Sequence, residues 1–158
     1  MIIAIDPGNE LSAWCVLQGG QLIASKKQPN AEVLEMVRST EYGWKFAYDT
    51  VLAVEMIASY GMPVGREVFE TCLWIGRFIE AWERRGGRGP LQLVYRRDVK
   101  LFHCESVRAT DANIRASLID RFGPGKAKAI GTKGAPGPLY GLKGDQWSAL
   151  AVALKAAV

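Results

Sequence analysis

Two stretches of the chain are apolar at every position and end in an acid: Ile2-Ile3-Ala4-Ile5 before Asp6, and Val51-Leu52-Ala53-Val54 before Glu55. Runs of this kind predict strands buried on both faces, as the central strands of a layered α/β sheet are. An ionised carboxylate deep in such a run has neither water nor a partner, so each acid belongs where its strand leaves the sheet. Pro7-Gly8 turn the chain directly after the first acid. Between the two runs, Leu11 to Gln18 and Gln21 to Lys26 read as strands joined at Gly19-Gly20, a hairpin dipeptide because glycine accepts positive φ freely. Asn30 is placed to cap a short helix carrying Val33, Leu34 and Val37 on one face.

Further along, the apolar spacing changes from strand-like to helical. Gly65 to Arg85 predicts the longest helix, with Val68, Phe69, Cys72, Leu73, Gly76, Ile79 and Trp82 on a common side and the small Gly76 permitting close approach to the sheet. Arg84 to Pro90 breaks that helix, Leu91 to Tyr95 predicts a short fifth strand, and Thr110 to Phe122 another helix. Gly123 to Gly144, rich in glycine, proline and lysine, predicts a mobile loop with few fixed contacts. Asp145 stands at the first turn of an alanine-rich final helix reaching Ala157. The order (three strands, helix, strand, helix, strand, then helices) is that of a ribonuclease-H-like α/β domain. The expected sheet is mixed and five-stranded, three antiparallel strands then two parallel, with helices on both faces, in a single domain over residues 1–158. In that topology the first and fourth strands are parallel neighbours, so Asp6 and Glu55 leave the sheet side by side and Asp145 converges on the same edge.

Composition narrows the chemistry. A chain of 158 residues is long enough to bury a core without a disulfide scaffold. Cys15, Cys72 and Cys104 lie far apart, and the first two fall in apolar segments where a buried thiol is ordinary, so a reducing compartment is expected. The only histidine, His103, has Cys104 as its one close soft neighbour, too little for structural zinc. The start leads straight into structure and no apolar stretch is long enough to span a bilayer, which predicts a cytoplasmic protein with no membrane partner. The net charge of +4 is modest, but its distribution is uneven. Basic residues gather in the second half: Arg84, Arg85 and Arg88; Arg96, Arg97 and Lys100; Arg108 and Arg115; Lys126, Lys128, Lys133 and Lys143. Such clustering fits either a polyanion partner or a solvated face. Trp14, Trp44, Trp74, Trp82 and Trp147 read as core or dimer-contact residues. A Gly-x-x-x-x-Gly-Lys-Ser/Thr loop is missing, which argues against a nucleotide cofactor.

Three carboxylates held close repel one another and stay ionised only where cations neutralise them. Hard oxygen donors of this kind suit Mg²⁺ or Mn²⁺, which accept a substrate phosphate among their ligands. Two such ions roughly 3.5–4 Å apart activate a water and stabilise the leaving oxygen of an in-line displacement at phosphorus. That chemistry is phosphodiester hydrolysis. Taken singly, each acid has a structural reading as well: Asp6 as a turn former, Asp145 as a helix cap.

The segments Ile-Ala-Ile-Asp6-Pro-Gly8, Val-Glu55 after a buried strand, and Gly-Asp145-Gln-Trp-Ser-Ala-Leu-Ala-Val-Ala resemble the RuvC-type Holliday junction resolvases, in a compact phage- or prophage-like version. The match runs in order over most of the chain and is weakest over residues 27–48 and 123–143. The opening motif also resembles the YqgF-type RNA-processing nucleases, whereas the closing Asp-x-x-x-Ala-Leu-Ala pattern favours the resolvase. The resemblance implies a homodimer that uses Mg²⁺ or Mn²⁺, two ions per site, to place paired nicks across a four-way DNA junction, in a bacterial or phage-infected cytoplasm. Asp6, Glu55 and Asp145 take the places of the first three metal-binding acids. The family's fourth acid, one helical turn beyond the third, is Ser148 here.

Ser148 holding a metal-bound water, or Asp111 in Arg108-Ala-Thr-Asp111-Ala-Asn-Ile-Arg115, are the two ways to complete the set. Asp111 also reads as a helix cap, with Thr110 competing for that place. Tyr60, in the loop after Glu55, takes the place of a residue that meets unstacked bases at the junction centre. Arg96, Arg97, Lys100, Arg108, Arg115 and Lys143 are candidates for phosphate contacts. Two other readings stay open: a related nuclease acting on structured RNA or flaps, and a non-cleaving junction-binding module whose centre is degraded at Ser148.

Overall fold

A computed structural model describes residues 1–39, 49–84 and 89–158; Trp44, Arg85 and Arg88 lie outside the described residues. Strand β1 (Ile2–Asp6) pairs antiparallel with β2 (Leu11–Gln18), and β2 with β3 (Gln21–Pro29). On its other side β1 runs parallel to β4 (Val51–Met56), which runs parallel to β5 (Leu91–Tyr95), giving the order β3-β2-β1-β4-β5. This is the mixed five-stranded sheet that the apolar runs predict. Ile3, Ala4, Ile5, Leu52, Ala53 and Val54 are fully buried, because alternate residues of these strands feed two separate cores. Ile2, Ala4, Ala13, Cys15 and Ala53 pack with α4 (Asp111–Phe122) and α6 (Gln146–Ala156). Ile3, Ile5, Trp14, Val16, Leu52 and Val54 pack with α1 (Asn30–Arg38) and α2 (Arg66–Arg84). Among the described residues no helix is long and apolar enough to cross a membrane.

Local structure departs from the sequence pattern in several places. On α2 the buried stripe is Thr71, Ile75, Phe78, Ala81 and Trp82, while Phe69 and Leu73 stand 61% and 67% exposed and Cys72 and Gly76 face solvent with them. Apolar residues lie nearly all round this helix. The bulk of Phe78 and Trp82, the latter donating its indole N–H to the Gly89 carbonyl at 3.1 Å, selects the face that goes inward. Cys72 is therefore an exposed thiol, not a buried one. Asn30 does not cap α1; Pro29 holds that position, and the Asn30 side chain is used elsewhere.

A helix absent from the expectation, α3 (Arg96–Cys104), follows β5 without a loop. Its one fully buried residue is Val99, so the hydrophobic signal is too sparse to read through the surrounding charges. Residues 123–144 are not a loose loop. They contain α5 (Lys126–Ala129) and a small ribbon of β6 (Gly131–Thr132) with β7 (Ala135–Pro136), and Ala129 and Leu139 are fully buried. The Leu139 N–H bonds the Ala129 carbonyl at 2.8 Å. At Gly137 a Cβ would meet the Lys128 carbonyl oxygen at 2.3 Å, so this glycine serves close packing, not mobility.

Candidate active site

Strand register lines charged groups up across the sheet. Asp6 is opposite Ala13 and Ala13 opposite Lys27. On the other side Ile5 pairs with Val54, so Asp6 and Glu55 come next in line, and Glu55 is opposite Val94. Opposed residues share a face, which makes Lys27, Ala13, Asp6, Glu55 and Val94 one transverse row on the side that α6 covers. Asp145 stands at the N-cap position of α6, yet its side chain makes no capping bond. It is free to face the row, and one turn on the Ser148 hydroxyl hydrogen-bonds Asp6.

The turn after Asp6 is held from below by a small buried network. Ser12 Oγ donates to Asn30 Oδ1 at 2.6 Å, Asn30 Nδ2 donates to the Gly8 carbonyl at 2.8 Å, and the Gly8 N–H reaches Ser12 Oγ at 3.3 Å. Each member is satisfied within the ring, as buried polar groups must be. At Gly8 a Cβ would stand 2.4 Å from the Leu11 carbonyl oxygen, so no larger residue fits the strand exit that presents Asp6.

The four acids sit in two environments. Glu55 and Asp6 hydrogen-bond each other. Burial, then the charges of Glu55 and Asp145, push the Asp6 carboxyl up to about 8, against the pull of Arg96 and Ser148. Glu55 is also raised, mainly by burial, with Arg96 opposing. Asp111 and Asp145 are exposed, and each has its own cation. Arg96 lies 3.5 Å from Glu55 and is in direct contact with Asp111; although burial works against its charge, Glu55, Asp111 and Asp6 together keep the guanidinium above its ordinary range. Lys27 Nζ meets Asp145 Oδ2 at 2.5 Å. The cap of α4 is Thr110, in a capping box with Asn113, which leaves Asp111 without a structural duty at that terminus.

Among the described residues no three acids stand close enough to form a ready-made metal centre, because Asp145 is turned to Lys27 and Asp111 to Arg96. The donor chemistry nevertheless fits a hard divalent cation. Two largely buried carboxylates in hydrogen-bond contact need a shared proton or a cation between them, and the oxygens of Asp145, Asp111 and Ser148 flank the pair. Among the described residues no cysteine or histidine lines the space around these acids, and His103 is occupied elsewhere, its Nε2 2.9 Å from the Ala151 carbonyl.

No family model and no curated protein matches the sequence. Solved structures do. Thermus thermophilus RuvC superposes with a TM-score of 0.70 over 99% of this chain and 92% of that chain, at 16% identity. The fold is that of RuvC. A structure of T. thermophilus RuvC in complex with Holliday junction substrate matches with a TM-score of 0.64 over 99% of this chain and 91% of that one, at 18% identity. A Fowlpox virus resolvase with substrate Holliday junction DNA overlaps 77% of this chain and 74% of its own, at 18% identity and a TM-score of 0.43.

Within this RuvC fold two clefts meet at the acids. One, of about 410 Å³, is lined by Arg96, Asp111, Arg115, Asp145, Trp147 and Ser148. The other, of about 220 Å³, is lined by Asp6, Glu55, Tyr60 and Arg96 among others. Arg96 forms the wall between them. The Arg115 guanidinium lies 4.5 Å over the Trp147 ring, which fixes it at the rim. Tyr60 is exposed and holds a left-handed φ of 46°, uncommon for a bulky residue, and with Arg97 and Lys100 it borders a third cleft. Arg108 and Lys143 are exposed and line none of the three.

Lys27, Ser25 and Gln146 make contacts beside the acids that the sequence pattern misses. The third strand is expected to end at Lys26, whereas β3 continues to Pro29. Extending the period-two alternation by three residues puts Lys27 on the Asp6 face, which is the signal that identifies it.

Proposed function

We propose that this chain is a divalent-metal-dependent endonuclease that cuts four-way DNA junctions as a homodimer in the cytoplasm of a bacterium or phage-infected host. The observation that carries the proposal is the pairing of largely buried Asp6 and Glu55 at neighbouring strand exits, with Asp145 and Ser148 at the start of the covering helix beside them. Asp6, Glu55 and Asp145 bind the cation, and Asp111 supplies the fourth charge; Thr110 having taken the cap, Asp111 is favoured over Ser148 as a direct ligand. When bound, Mg²⁺ or Mn²⁺ ions, two per site, supply an activated water and charge neutralisation at phosphorus. Ser148 orients the Asp6 carboxylate through its hydrogen bond. Arg96, Arg97, Lys100 and Arg115 track phosphates around the clefts, with Arg108 and Lys143 further out, and Tyr60 meets a base at the junction centre.

The homodimer draws support from α2, whose Phe69 and Leu73 present an exposed apolar stripe beside the small Gly76. Two-fold symmetry of the enzyme then matches that of the junction, and equilibrium sedimentation reads the dimer. The function is tested by cleavage of a synthetic four-way junction beside linear duplex, RNA hairpin and flap substrates in Mg²⁺, with binding followed in Ca²⁺. Paired nicks on the junction are expected. Equal rates on all substrates remove junction selectivity, and binding without cleavage under any metal leaves the junction-binding module.

A further inference from the structure

We propose that Lys27 is part of the substrate site: its ammonium holds Asp145 in the metal-free protein and passes to a DNA phosphate oxygen when a divalent cation takes that carboxylate. The inference rests on the metal-dependent reading above. Its basis is the transverse row, in which Lys27 and Asp6 lie on the same face with only Ala13 between them, about 10 Å apart at two strand spacings. Ala13 is small, so the row itself places no long side chain between the lysine and the acids. Lys27 and Asp145 keep 43% and 51% of their side-chain surfaces exposed, which leaves both within reach of a ligand arriving from solvent.

The backbone around this pair is tied in place independently of it. Gln146 Nε2 donates to Ser25 Oγ at 3.1 Å, Ser25 Oγ donates to the Trp14 carbonyl at 2.9 Å, and the Lys143 N–H donates to Gln146 Oε1 at 2.9 Å. The start of α6 therefore stays on β3 without the ion pair, and Lys27 exchanges partners by side-chain rotation alone. A carboxylate engaged by a divalent cation repels an ammonium from the same oxygens. The anion that arrives at this edge with the substrate is a phosphate, and Lys27 then flanks it from the β2–β3 side as Arg96 does from the β5 side.

The test uses Lys27→Met and Lys27→Arg in the full chain. Mn²⁺ binding to the free protein is measured by electron paramagnetic resonance, and junction binding in Ca²⁺ is measured against KCl concentration. Removing a competitor this exposed tightens Mn²⁺ by up to about fivefold in Lys27→Met, while losing one phosphate contact lowers the slope of log K against log salt by about 1. Lys27→Arg keeps the slope. If Lys27→Met binds Mn²⁺ no more tightly than wild type, or keeps the wild-type slope, Lys27 only tethers Asp145 and the proposal falls. Asp6→Asn separates this from failure of the underlying reading: wild type that takes up no Mn²⁺, or an Asp6→Asn variant that still takes it up, sinks the metal site itself.

Discussion

Asp6 and Glu55 leave the centre of the sheet, whereas Asp111 and Asp145 stand at helix starts, and the two pairs are built on opposite principles. The strand pair is fixed by backbone register and a hydrogen-bonded turn, is mostly withdrawn from water, and among the described residues has one cation, Arg96, acting on both members. The helix pair is solvated, lies where a helix N-terminus favours negative charge, and is held by side chains that rotate, Arg96 and Lys27. A rigid centre that cannot keep both charges unaided is thus surrounded by an adjustable rim. A centre of that kind is poised for a cation to replace its proton, and the rim for exchange of partners.

The sharpest way to break this division is to neutralise its rigid half. Asp6→Asn keeps the shape and removes the charge, and Mg²⁺-dependent junction cleavage falls by on the order of 10³-fold, measured in single-turnover assays with binding in Ca²⁺ retained. Cleavage that survives the change removes Asp6 from the chemistry and makes the buried pair merely structural.

The stability of the metal-free protein gives the next largest effect. Asp6 holds its proton to about 8 in the folded chain against 3.8 as the ordinary value, so the folded state binds the extra proton between those limits. The associated stability is fully present below the lower value and is lost as pH rises through the upper one. The urea midpoint without metal therefore declines from about pH 4 to about pH 8, by on the order of a few kcal/mol in unfolding free energy. Asp6→Asn flattens the decline and is the more stable protein at the alkaline end. Saturating Mg²⁺ opposes the decline in wild type, since it binds the deprotonated acids. A midpoint that rises over this range contradicts the raised carboxyl.

The contrast between the pairs also explains what could be read from residues alone. Central strands record their burial as unbroken apolar runs, so Ile2–Asp6 and Val51–Met56 and the acids at their ends were legible, and parallel pairing of the two followed from element order. Side chains on helices and edge strands record less. Phe69 and Leu73 are as apolar as Phe78 and Trp82, and only packing decides which face of α2 goes inward. Lys27 reads as an ordinary surface lysine until β3 is extended to Pro29. Leu139 sits among glycines and prolines whose composition suggests mobility, yet it is fully buried. The choice between Thr110 and Asp111 as the α4 cap turned on a hydrogen bond to Asn113, which either residue could have made.

The rim is broken more gently. Asp111→Asn keeps the helix, since Thr110 caps it, and lowers both Mn²⁺ affinity and cleavage by about 10- to 100-fold. Adding Ser148→Asp to that variant restores part of the loss by returning an acid to the α6 face. If cleavage is unchanged in Asp111→Asn, its contact with Arg96 is the whole of its role and the fourth charge lies elsewhere.

Ser148→Ala has the smallest effect and separates two roles for the hydroxyl. Its hydrogen bond stabilises ionised Asp6 and so lowers that carboxyl against the rise caused by burial. Without it the Asp6 carboxyl moves further up and a larger share is protonated near neutrality. At limiting Mg²⁺ the variant cleaves less than about tenfold more slowly near pH 7, and recovers toward the wild-type rate as pH is raised. The acidic limb of the pH–rate profile moves to higher pH. A loss of the same size at every pH instead assigns Ser148 to holding a water at the cation, because an unmade water contact, unlike a misplaced proton, is not restored by base.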